Sequence, residues 1–161
     1  MKKKYLIAII IFIVLLVIQV AVIPRISIGY FTPDLILILL VYYTLIRGQL
    51  YGALLGGLFG LIFDLASGGL LGVTMFSKTL AGFIAGYFYN ENKIDTNVSS
   101  LNFPLIVFLA AFIDSFFSGF LSGMEEFGVI YILFERSMFP AIYTAVISLA
   151  VVLFNPGRKF L

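Results

Sequence analysis

The residues best placed to do chemistry in this chain are two charges stranded in apolar sequence. Lys78 lies in the apolar run 71–89 and Asp114 in the run 103–121. Each stands seven residues from one end of its run, Lys78 after the start and Asp114 before the finish. In antiparallel helices both therefore reach the same level, about 10 Å deep at the helical rise. An ionised side chain near a bilayer centre is disfavoured by about 2.5–3.5 kcal/mol, so each needs a partner. The expected arrangement is an intramembrane ion pair between Lys78 and Asp114 that locks two helices together. Pairing of Lys78 with Asp64, snorkelling to the interface and a polar cavity are the alternatives. Intramembrane charges also mark proton and substrate pathways, and on that reading the same two residues form a transport site.

Asp34 and Asp64 also need explaining. The order Thr32-Pro33-Asp34 reads as a helix start, with Thr32 as N-cap, Pro33 at the first helical position and the acid near the positive end of the dipole. Asp64 falls instead at the C-terminal end of its run, where the dipole disfavours an anion, just before Ala66-Ser67-Gly68-Gly69. Its side chain can cap the following turn, pair with Arg25 or Lys78, or meet a partner protein.

Gly52, Gly56 and Gly60 recur every four residues, with Ala53 and Gly57 beside them. One helix face there carries almost no side chain, and in lipid such faces let another helix approach closely. Gly82 and Gly86, Ala111, Ser115, Gly119 and Gly123, and Ala141 and Ala145 repeat the spacing. Packing within the chain's own bundle accounts for such faces. The doubled glycine face at Gly52, Gly56 and Gly60 is also the best candidate for contact with another membrane protein, together with an outer rim holding Asp34 and Asp64.

The chain contains no His and no Cys, which removes disulfides, thiolate zinc sites, haem ligation by His and the Cys–His and Ser–His–Asp nucleophiles. No P-loop, no paired carboxylates in a cleft and no Ser–Lys nucleophile can be assembled from the remaining residues. No catalytic, cofactor or metal site is assigned, and the chain reads as a non-enzyme.

The elements that must position these residues follow from composition. Of 161 residues, 62% are apolar and 11% are charged, against about 45–50% and about 25% in a soluble domain. The solvent for most of this surface must be lipid. A net charge of +2 is too small to suggest nucleic acid. Apolar runs fall at 5–23, 31–46, 49–63, 71–89, 103–121 and 137–154, which predicts one all-α integral membrane domain over 1–161, a six-helix transmembrane bundle. The second and third runs are short for a span of about 20 residues. The polar break Arg47-Gly48-Gln49 makes them a hairpin, with a re-entrant third segment as the alternative.

Lys2-Lys3-Lys4 precedes a span-length run with no small-residue cleavage site, so the first run reads as a retained anchor rather than a signal peptide. Placing this triplet inside puts Arg47, Lys93, Arg158 and Lys159 on the same side and leaves Arg25 and Arg136 outside. The positive-inside rule then sets both termini in the cytoplasm. Asp34, Asp64, Glu125, Glu126 and Glu135 make the outer face acidic. The basic inner face suits anionic lipid head groups.

The stretch Thr32-Pro33-Asp34-Leu35-Ile36-Leu37, followed by Tyr42, Arg47-Gly48, the glycines of the third run, Asp64, Ser67-Gly68 and Leu71-Gly72, resembles the rod shape-determining protein MreD family. The resemblance covers about residues 30–90 in its motifs and the whole chain in size and span count. It implies a non-enzymatic scaffold of the cell-elongation machinery in the bacterial inner membrane. The implied partners are MreC, RodA with its class B penicillin-binding protein, and the actin-like filament MreB, and catalysis of peptidoglycan synthesis belongs to those partners. Such proteins also look similar in fold to the substrate-binding membrane subunits of energy-coupling-factor vitamin transporters. That makes a vitamin-transporter subunit the alternative function, for which Ala141 and Ala145 would supply the Ala-x-x-x-Ala face toward a coupling subunit.

Overall fold

Where long runs of the chain are apolar, it must satisfy its backbone polar groups locally, and in lipid that means helix. The computed structural model describes residues 2–25, 32–122 and 132–154, and these are helical almost throughout. Helix α1 runs Lys2–Ala21 and ends in a 3-10 turn at Ile23–Arg25. Helix α2 (Leu35–Arg47) and helix α3 (Gln49–Ser67) are joined through Gly48 alone. Helix α4 (Val73–Ala85) is extended by a 3-10 turn at Gly86–Phe88. A 3-10 turn at Glu91–Lys93 and the short helix α5 (Ile94–Ser99) lead into α6 (Asn102–Leu121). A π-helical turn at Ile132–Met138 then runs directly into α7 (Phe139–Phe154). Of the charges counted above, Glu125, Glu126, Arg158 and Lys159 lie outside the described residues, as do Phe31 at the start of the second apolar run and Gly123.

Several boundaries differ from the sequence expectation. Helix α3 continues to Ser67 rather than stopping at Phe63, because Asp64 is drawn inward instead of facing an interface. At 19 residues and high hydropathy α3 is long enough to cross a membrane, as are α6 and the segment Phe134–Phe154. The apolar stretches Ile9–Ala21 and Leu35–Arg47 are shorter. The first cap of α2 is also shifted by two residues. Asp34, not Thr32, is the N-cap, with its side chain accepting from Leu37 N, and Pro33 precedes the helix. The expected hairpin at Arg47-Gly48-Gln49 is present. Gly48 takes φ +96°, which only glycine adopts without strain, and its N–H closes α2 on the Thr44 carbonyl at 2.8 Å.

Helix α2 is the axis of the domain, packing against α1, α3, α4, α5, α6 and α7. Its Ile36, Leu37, Leu40 and Val41 are completely buried. The outward faces are as apolar as the core: Ile9, Ile13 and Val17 of α1 and Leu50, Leu54, Leu58 and Leu65 of α3 are all exposed. Water would not tolerate so large an apolar exterior, whereas lipid matches it. Since lipid tails are as apolar as these side chains, helix association has to come from close packing and polar contacts. The tightest such packing joins α3 to α4. A Cβ added at Gly56 would overlap the Lys78 carbonyl, one at Gly60 the backbone of Thr74 and Met75, and one at Gly52 the Gly82 carbonyl as well as the Thr44 side chain of α2. From the other side, Gly82 rests on the Gly52 carbonyl and Gly86 on Gln49.

Candidate functional site

The glycine ridge of α3 fixes where Lys78 sits, because α4 approaches until the Lys78 backbone lies directly on Gly56. The Lys78 side chain then extends into the bundle and is 1% exposed. Its ammonium lies 2.8 Å from Asp114 Oδ2 on α6 and also pairs with Asp34 Oδ2 at the start of α2. One lysine thus ties three helices together.

Asp34 is held for this role from several directions. Its Oδ1 accepts from Leu37 N at 2.8 Å, which caps α2 and leaves Oδ2 for Lys78. Its own N–H donates to Thr144 Oγ1 of α7 at 3.0 Å, while the Thr144 hydroxyl donates to the Pro140 carbonyl at 2.8 Å. On either side of Asp34, the Gln19 amide of α1 donates to the Pro33 carbonyl at 2.8 Å and accepts from Leu35 N at 2.9 Å. Leu35 N and Leu37 N, two of the donors a helix start leaves without an intrahelical partner, are thereby paired in a partly buried place. The sequence places Asp34 near the positive end of the helix dipole and on the outer rim; both the cap and the bond to Lys78 emerge only in the fold, because the sequence does not show where either carboxylate oxygen points.

Asp64 is not on a rim either. It is 2% exposed and gathers three backbone donors from the start of α4, Gly72 N at 2.9 Å and Thr74 N and Met75 N at 3.2 Å. A carboxylate that ends α3 therefore serves as the anion at the N-terminus of α4, where the dipole favours it. The expectation that Asp64 meets a partner gives way to capping, and pairing of Lys78 with Asp64 gives way to pairing with Asp34 and Asp114. Arg25 is likewise turned onto its own helix, donating to the Ala21 carbonyl. The face formed by Gly52, Gly56 and Gly60, expected to receive another protein, is covered by α4 of the same chain.

Around the Asp34–Lys78–Asp114 cluster lies a polar cavity of about 200 Å³, bordered also by Gln19, Ser115, Ser118 and Arg136. A second, apolar groove of about 290 Å³ lies along α2 between α1 and α7. Ile11 and Leu15 form one wall, Ile147 and Val151 the other, and Leu35, Ile38, Leu39 and Tyr42 the floor. Among the described residues no group of His, Cys, Asp and Glu could hold a metal ion.

The family model for rod shape-determining protein MreD matches residues 1–161, the whole chain. The chain belongs to the MreD family. No curated protein and no solved structure matches it. Membership assigns the chain a part in rod-shape determination and a membrane location consistent with its three span-length helices. In MreD terms, the motif order from Thr32 to Gly72 contributes one member of the buried cluster and the supports of the rest, while Lys78 and Asp114 lie beyond it. It supplies the cap and counter-ion Asp34, the ridge that seats Lys78, and the Asp64 cap that starts α4.

Proposed function

We propose that this chain is a non-enzymatic six-pass scaffold of the cell-elongation machinery, with both termini in the cytoplasm, that docks the single membrane helix of MreC. Through MreC it would link to RodA with its class B penicillin-binding protein and to MreB. The observation that carries this reading is the groove along α2. It is lined almost entirely by apolar side chains, and it is walled by two helices, α1 and α7, that sit on either side of α2. A transmembrane helix offers the complementary shape. The glycine ridge and the acids Asp34 and Asp64 hold the scaffold rigid from within, so the docking surface moves from those residues to this groove. Rigidity favours such a role, since a preformed surface loses less entropy on binding.

The vitamin-transporter reading places Ala141 and Ala145 on an outward face. Ala141 is fully buried in the core, which favours the scaffold.

The test is co-expression with full-length MreC followed by affinity capture in mild detergent. Leu39→Trp would fill the groove floor. Loss of MreC from a variant that stays monodisperse is the expected result. Undiminished capture by Leu39→Trp would move the docking surface elsewhere, and tight retention of a vitamin-sized solute by the purified chain would replace the scaffold reading.

A further inference from the structure

Two polar side chains at one end of the apolar groove stand in line with its walls. On α1, Ile11, Leu15 and Gln19 follow one another at steps of four residues, which places them on one face of the helix. On α7, Thr144, Ile147 and Val151 do the same at steps of three and four. Ile11 and Leu15 form one wall of the groove and Ile147 and Val151 the other, so each wall carries a buried polar residue at its end, Gln19 or Thr144. Both of these bond the same short stretch of backbone. Gln19 holds the Pro33 carbonyl and Leu35 N, and Thr144 holds Asp34 N. Leu35 itself begins the groove floor. The stretch is anchored in turn, because Asp34 is paired with Lys78 and Lys78 with Asp114 on α6. Apolar contact alone fixes little here. Lipid tails compete equally for the faces of α1 and α7, so directional polar bonds have to set where the walls stand.

We infer that Gln19 and Thr144 are positioning residues of the groove: as a hydrogen-bonded clasp on the backbone at 33–35, they hold α1 and α7 at the separation that admits one transmembrane helix. This assignment rests on the docking role proposed for the groove. It makes the width of the groove depend on two side chains that do not border it, and through Asp34 it ties that width to the buried charges.

The chain has no Cys, so Val14→Cys on α1 with Val146→Cys on α7, both at exposed positions, takes spin labels without background. The distance between the labels is read by pulsed electron resonance on the full chain in nanodiscs, without a partner. Thr144→Val and Gln19→Leu should each lengthen and broaden the distance distribution. Thr144→Ser keeps the hydroxyl and should match the parent. Asp64→Ala, which loosens the start of α4, should lower stability and leave the distribution as it is. In capture of full-length MreC, Thr144→Val should weaken binding about tenfold, on the scale of one lost hydrogen bond, and Thr144→Ser should not. If Thr144→Val does not fold, Gln19→Leu decides alone. An unchanged distance in the clasp variants, or an equal change in Asp64→Ala, would overturn the inference. A longer distance with MreC capture intact would do the same, provided that Leu39→Trp loses MreC. A longer distance with MreC retained by Leu39→Trp removes the docking reading alone and leaves the clasp as what sets the width of the groove.

Discussion

The Lys78 ammonium on α4 lies 2.8 Å from the Asp114 carboxylate on α6, and the same ammonium binds Asp34 at the start of α2. Breaking a buried pair by removing one partner costs about 3–5 kcal/mol, since it strands the other charge. Here removal of the lysine strands two. Lys78→Met should therefore fall at or above that range, read as a large drop in thermal stability in detergent. Exchanging the charges, Lys78→Asp with Asp114→Lys, sets the new aspartate against Asp34. The double variant should recover only part of the loss, and addition of Asp34→Asn should recover more. Full recovery by the double exchange would show that Asp34 does not contribute to the cluster.

Asp64 accepts three backbone N–H groups at the start of α4. Asp64→Ala leaves those donors without an acceptor in a buried place, and loss of an N-cap alone costs about 0.5–2 kcal/mol. The expected outcome is a loss of at least this size, with faster hydrogen exchange at Thr74 and Met75. Asp64→Asn keeps one acceptor oxygen and should cost less. If Asp64→Ala left both stability and exchange unchanged, the carboxylate would have to serve something outside the chain.

Much of this arrangement can be read in the sequence, and the unreadable part has a physical cause. The common depth of Lys78 and Asp114 follows from counting residues along two apolar runs. Glycines at 52, 56 and 60 announce a close helix contact, but the spacing describes only one surface and does not say whether α4 or another protein fills it. Asp34 hides its bonds behind a sufficient local explanation, that of an acid at the positive end of a helix dipole. The π-helical turn at Ile132–Met138 has no marker in the hydropathy pattern, which starts a helix at the polar Ser137. Asp64 is understood only once the chain has folded back, because its hydrogen-bond partners lie eight to eleven residues ahead.

The clamp of Gln19 on the residues flanking Asp34 offers a test of how α1 is attached. Its amide serves both the Pro33 carbonyl and Leu35 N, and the stacked rings of Phe12 and Phe59, 4.0 Å apart, make a separate contact between α1 and α3. Gln19→Leu should leave the two backbone groups unpaired at about 1–3 kcal/mol each. The effect should be local to α1 and the α2 start, with exchange at Leu35 raised and α3–α4 packing retained.

The glycine ridge carries the last prediction, because it separates packing within the chain from contact with a partner. A methyl group at Gly56 would overlap the Lys78 carbonyl, so Gly56→Ala must push α4 outward and move the lysine from its two carboxylates. Overpacking of this kind costs about 1–3 kcal/mol, and the displaced charge should add to it. Gly69→Ala is the control, since its Cβ would meet only Ser67 Oγ at an ordinary 3.6 Å. Thermal unfolding of the chain purified without partners should show Gly56→Ala well below the parent and Gly69→Ala close to it. A Gly56→Ala chain as stable as the parent but unable to capture MreC would instead place the ridge at the protein interface.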